Sequence, residues 1–205
     1  MKTIQTFLSL ILILLALSSC SGKRASPALA GNPDHPGPNS ISETLPGTAE
    51  YIPFESLRLN GKLPMISSPK AVFDLMGQPD SIVPVDLDDA CGYYLNLDSN
   101  VKLAYVKGGR FEVRGDSAVL TSVLFKDLPG LFLKTPQIIL SGKTTLEDIA
   151  RLFPKAYSTR GEMNVSVLGK GIGIRIDTTA TPMENACILF FQNGKLMSAD
   201  YFIPC

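Results

Sequence analysis

The chain has 205 residues, with 19 basic and 19 acidic side chains, one histidine and no tryptophan. A neutral chain has no broad attraction for nucleic acid or anionic lipid. A lone His35 and the missing tryptophan argue against a Ser-His or Cys-His hydrolase, a zinc site and a sugar-lined cleft.

Lys2 and the apolar run over residues 7–17 have the charge and length of a secretory signal. A membrane span needs about 20 apolar residues. Leu17-Ser18-Ser19-Cys20 follows, with small residues before a cysteine. It resembles the lipobox of bacterial lipoproteins. The resemblance implies cleavage after residue 19 and lipidation of Cys20. Several acyl chains would then anchor the protein to a membrane. Ser21 stands where an aspartate would mark inner-membrane retention, so the same analogy points to the outer membrane; the periplasmic side is the expected orientation and surface exposure the alternative. Residues 20–50 are rich in Pro, Gly, Ser and Asn with no apolar period. They read as a flexible tether spanning roughly 30 Å.

Two similar units follow, at 51–126 and 138–205, joined by a connector over 127–137. Leu57-Arg58-Leu59-Asn60-Gly61-Lys62 opens the first, and Ile138-Ile139-Leu140-Ser141-Gly142-Lys143 the second. A helix follows each. In the first, Ser68 caps, Pro69 suits the first helical position and Gly77 stops the helix. In the second, Thr144 and Glu147 read as a capping box. There Leu146, Ile149, Ala150 and Phe153 share one helical face, and Pro154 ends the helix.

After each helix come four predicted strands. They are 91–97, 101–107, 110–114 and 118–126 in the first unit, and 163–168, 172–177, 186–192 and 195–203 in the second. Asn193-Gly194 is the strongest hairpin signal. Short turns imply antiparallel neighbours. The predicted fold class is therefore α+β: two tandem repeats, each a helix packed on an antiparallel meander of about four strands.

The first helix ends in Leu75-Met76-Gly77-Gln78-Pro79-Asp80-Ser81. This resembles the "LG-x-P-D" signature of small outer-membrane lipoproteins of the SmpA/OmlA type, with methionine in place of the usual leucine. The doubled helix-plus-four-strand unit resembles the β-lactamase-inhibitor-protein arrangement. That resemblance implies one long curved sheet shared by both units, and binding to other proteins: envelope assembly partners or an enzyme to be inhibited.

Few residues carry chemistry. Asp86, Asp88 and Asp89 read as a solvated acidic loop without EF-hand spacing. Gly169-Lys170-Gly171-Ile172-Gly173 lacks Walker spacing and reads as a hairpin turn. Cys91, Cys187 and Cys205 allow one disulfide in an oxidising compartment, with the pair left open. No cofactor or metal is expected. Aromatic and arginine side chains are the better lead, because these types anchor interfaces. Tyr93 and Tyr94, adjacent on a predicted strand, would point to opposite faces. Tyr105, Arg110, Arg114 and Arg175 are the remaining candidates. The expected function is non-enzymatic binding of an envelope protein through the sheet face the helices leave bare. The alternative is a small-ligand module using the groove between the units.

Overall fold

A computed structural model describes residues 50–85, 91–95 and 100–204. The signal segment, Cys20, nearly all of the tether with His35, the Asp86, Asp88 and Asp89 loop, and Cys205 lie outside them.

The described chain opens with a 3-10 turn at Phe54–Ser56, then β1 (Arg58–Leu59), β2 (Leu63–Pro64), β3 (Ile66–Ser67) and α1 (Pro69–Met76). The strands β4 (Ser81–Pro84), β5 (Lys102–Val106), β6 (Gly109–Arg114) and β7 (Ser117–Leu124) follow. Next come β8 (Phe132–Lys134), β9 (Ile139–Ser141), α2 (Leu146–Leu152) and α3 (Pro154–Ser158). The last four are β10 (Gly161–Val165), β11 (Gly169–Asp177), β12 (Ala186–Gln192) and β13 (Lys195–Phe202).

The helix ends follow local chemistry. Ser68 Oγ accepts the Ala71 N–H at 3.1 Å, and Pro69 occupies a position that needs no donor. Gly77, at φ 99°, closes α1 by donating to Phe73 O at 2.9 Å. The capping box of α2 is Thr145–Asp148, one residue beyond the predicted Thr144–Glu147. Thr144 is already engaged: its hydroxyl accepts from Ser141 N at 3.0 Å and donates to Ile139 O at 3.2 Å, closing the turn after β9. The Thr145 N–H beside Asp148 holds that carboxyl below its ordinary range. Pro154 does end α2, but it also serves as the first residue of α3.

The main sheet runs β10-β11-β12-β13-β7-β6-β5-β4, every neighbour antiparallel, with β3 paired to β7 beside that path. Each meander thus contributes four strands, and the last strands of the two, β7 and β13, pair at the centre. A smaller sheet runs β2-β1-β8-β9, so the strands that open the two halves flank the connector strand β8.

Strand periodicity decides which face is buried. Val72 and Met76 of α1, with Ile149 and Phe153 around α2, pack on Phe111, Leu120, Val123, Ile174, Ile176, Leu189 and Phe191. Leu59, Leu133 and Leu140 of the small sheet join the same core. One continuous apolar layer therefore lies under both helices and both meanders.

One expected strand changes here. Residues 91–95 form a bend and turn, not a strand, and the first strand of the first meander is β4. A carboxylate, Glu112, takes the backbone donors of Tyr93 and Tyr94 that a neighbouring strand would have taken. The last hairpin also departs from uninterrupted pairing. Asn193 and Gly194, at φ 49° and 74°, make the expected hairpin turn. Phe191 pairs with Leu196 but Phe190 pairs with Ser198, so Met197 is an extra residue, a β-bulge. Uninterrupted pairing from the turn would set Cys187 opposite Asp200. The bulge sets it opposite Tyr201 instead.

Candidate functional site

The sheet face opposite the helices is the candidate site. Its residues alternate with the core residues along every strand. One row crosses seven strands: Arg175, Ile188, Asp200, Ser122, Arg110, Tyr105 and Ser81, each directly opposite the next. A second row on the same face runs Val83, Leu103, Glu112, Val119 and Ile66. Four large apolar side chains of this face stay accessible: Val83 and Tyr105 at 38%, Ile66 at 40% and Phe202 at 45%. Elsewhere the face fills itself. Phe190 is buried against Gly171, where an added Cβ would fall 2.6 Å from the Phe190 ring.

The turn at residues 91–95 covers part of the second row. Glu112 is buried, and its two oxygens accept the backbone N–H groups of Tyr93 at 3.1 Å and Tyr94 at 2.6 Å. Carboxylate acceptors make such bonds stronger than neutral ones. Tyr94 Oη meets Ser117 Oγ at 2.7 Å, and the Arg114 guanidinium lies 5.7 Å from the Tyr94 ring centre. Gly92 permits the close approach, since a Cβ there would sit 2.8 Å from the Glu112 carboxyl carbon. The aromatic rings continue from the turn: Tyr94 meets Tyr93 edge-on at 5.0 Å, Tyr93 stacks on Phe54 at 6.0 Å, and Phe54 meets Tyr201 at 4.3 Å. The end of β13, the 3-10 turn at Phe54–Ser56 and β6 are thereby tied together.

The six predicted interface residues are divided by this arrangement. Tyr105 and Arg110 stand directly opposite each other on β5 and β6, on the uncovered part of the face. Tyr93, Tyr94 and Arg114 form the covering cluster. The first two do not point to opposite faces of a strand as predicted, because their segment is a turn. Arg175 shares the row of Arg110, four strands away or about 19 Å at normal strand spacing. Its guanidinium is already committed, donating to Met183 O at 2.6 Å and Glu184 O at 2.8 Å beside Asp177 at 3.7 Å. It fixes the loop before β12.

Glu112 is the residue that sequence reasoning missed. In the strand Arg110-Phe111-Glu112-Val113-Arg114 it reads as one more surface charge. Nothing local reveals that a turn some 18 residues earlier lies on it.

Of the candidate cysteines, Cys187 is free and buried. It lies on the core face, opposite Ile176 and Tyr201. Burial, with Asp200 nearby, pushes its thiol up to about 12. Cys91, in the turn at residues 91–95, is disulfide-bonded. Because Cys187 is free, it is not the partner.

Between the two meanders, Leu120 and Val123 of β7 meet Cys187 and Ala199 across a cavity of only about 10 Å³. That is at most about the volume one water occupies. A wider, open depression of about 700 Å³ lies at the outer edge of the second meander, along β10, β11 and the β12–β13 turn. No helix among the described residues is long and apolar enough to cross a membrane.

No protein-family model, curated protein or solved structure matches this chain.

Proposed function

We propose that this chain is a cell-envelope lipoprotein, anchored through Cys20 and a flexible tether, whose open sheet face binds another protein without catalysing a reaction. One observation carries the reading: Tyr105, Val83, Ile66 and Phe202 are accessible on a single face, with Arg110 opposite Tyr105. Aromatic and arginine side chains beside exposed apolar area are the usual composition of an interface centre. The tight seam between the meanders supports this reading over a ligand groove at that place.

The strand order supports a duplicated unit. It runs outward in mirror sequence from the β7–β13 pair, and each meander is preceded by a helix packed on it. That is the arrangement expected of the SmpA/OmlA and β-lactamase-inhibitor-protein types, whose common theme is attachment to another protein. The signal segment and Cys20 lead this reading to the outer membrane, facing the periplasm.

Photocrosslinking from opposite faces tests the proposal. A photoreactive residue at Tyr105, in the lipidated chain in intact cells, is expected to give a defined protein adduct. The same residue at Glu147, on the exposed side of α2, is not. Equal labelling from both positions, or none from Tyr105, overturns it. Cys20→Ser is expected to release the chain from the membrane fraction.

A further inference from the structure

We infer that Arg110 is the specificity-determining residue of the open face and that it receives a carboxylate, an Asp or Glu side chain of the partner protein. The inference rests on the protein-binding reading above. Arg110 is partly buried, and its Nε donates to Thr121 Oγ1 at 3.1 Å. The Thr121 hydroxyl in turn donates to Arg110 O at 3.2 Å. Thr121 is the extra residue of a bulge in β7, since Arg110 pairs with Ser122 while Phe111 pairs with Leu120. The bulge thus aims a hydroxyl at the guanidinium and fixes its plane before any partner arrives. Pre-organisation of this kind lowers the entropic cost of binding.

Among the described residues, the two terminal nitrogens of Arg110 have no acceptor and no carboxylate lies within ion-pair distance. Two described acids of the same face are spoken for. Glu112 gives both oxygens to Tyr93 and Tyr94. Asp200 lies in the row of Arg110 but two strands away, about 10 Å at normal spacing, and accepts from Ser198 Oγ at 3.1 Å. A partly dehydrated guanidinium without a counter-ion is costly to keep, and a planar fork matches a carboxylate in two-point geometry. Tyr105, directly opposite, borders it with accessible apolar area, which would exclude water from the contact. A lipid phosphate is the less suited anion. Anionic membranes are held by clusters of several basic residues, whereas the row of Arg110 holds only one other basic residue, Arg175 four strands away, in a chain of balanced charge.

The test uses the full lipidated chain in its own envelope, with the photoreactive residue at Tyr105. Arg110→Glu is expected to cut the protein adduct by at least about tenfold, and Arg110→Lys by less. Arg110→Gln, which adds no repulsion, serves as the second variant, and urea unfolding of the purified chains shows that each is folded. The crosslinked partner peptide is expected to contain Asp or Glu, and changing that acid to Arg is expected to restore the adduct of Arg110→Glu. Undiminished labelling in a folded Arg110→Glu or Arg110→Gln chain overturns the carboxylate role and leaves the binding face standing. An adduct with lipid alone, or a partner peptide without an acid, overturns it equally. No adduct at Tyr105 in the native chain defeats both readings.

Discussion

Glu112 and Tyr94 are joined across 18 residues by a 2.6 Å bond from the Tyr94 backbone N–H to Glu112 Oε2. With the companion bond from Tyr93, it fastens the backbone of the turn to β6. Glu112→Ala removes two acceptors from one buried place. The loss of charge-assisted bonds predicts a cost of about 2–3 kcal/mol in urea unfolding. Hydrogen exchange at the Tyr93 and Tyr94 amides is expected to speed up more than exchange in β11 and β12. Unchanged protection at these two amides would show that something else holds the turn.

Gly92 sits against the same carboxylate. Gly92→Ala places a methyl group 2.8 Å from both the Glu112 carboxyl carbon and Leu95 Cδ1. Backbone or side chain must shift, at a cost of about 1–3 kcal/mol. The effect on stability is expected to be largely absent in the Glu112→Ala background, because the clash has lost its main partner. A double-mutant cycle measures this, and simple additivity would refute it.

Cys187 makes stability sensitive to alkaline pH. In the folded chain burial keeps its thiol protonated up to about 12, against an ordinary 9.0. Above pH 9 the unfolded chain therefore loses this proton first, and stability falls as pH rises towards 12. The slope from one proton is at most about 1.4 kcal/mol per pH unit. Tyr201, raised chiefly by burial, acts in the same direction. Cys187→Ala is expected to be less stable than the native chain at pH 7, with a shallower decline from pH 9 to 11. Parallel pH profiles for the two chains would count against the assignment.

Cys91 is expected to be found joined to Cys205. Cys187 is free, and Cys20 is reserved for lipid by the proposed anchor. Tyr94 contacts Ser117, at the start of β7, and β13 runs antiparallel to β7. The Cys91 turn and Phe202 therefore belong to the same end of the sheet. Peptide mapping without reductant should recover the Cys91–Cys205 pair, with Cys187 alkylated only after unfolding. A Cys91–Cys187 peptide would contradict the structure.

Local chemistry made much of the fold legible. Ser68, Pro69 and Gly77 delimit α1 because a cap, a donorless residue and a left-handed stop act within a few residues of each other. Asn193-Gly194 marked its hairpin for the same reason. The second meander was read more completely than the first, because Ile172, Ile174 and Ile176 alternate cleanly with Gly173, Arg175 and Asp177. The first meander misled. Cys91-Gly92-Tyr93-Tyr94-Leu95 has the aromatic content of a strand, whereas Ser81-Ile82-Val83-Pro84 is short and ends in proline. Strand content is half a matter of neighbours, and the neighbour of Tyr93 and Tyr94 is a carboxylate.

By itself the sequence determined the class of fold, the boundaries of α1 and α2 to within a residue and the balance of charge, because these depend on periodicity and on contacts a few positions apart; the short α3 that Pro154 begins was not read. Only the tertiary structure decided that Tyr105 and Arg110 face each other on the uncovered side, that Glu112 is buried beneath a turn, and that Cys187 stands opposite Tyr201. Each depends on register across strands, and a single bulged residue, such as Met197 or Thr121, changes that register. A bulge leaves one residue out of the ladder at a modest local cost, and whether it forms is decided by packing across the strands, not by the chain around it.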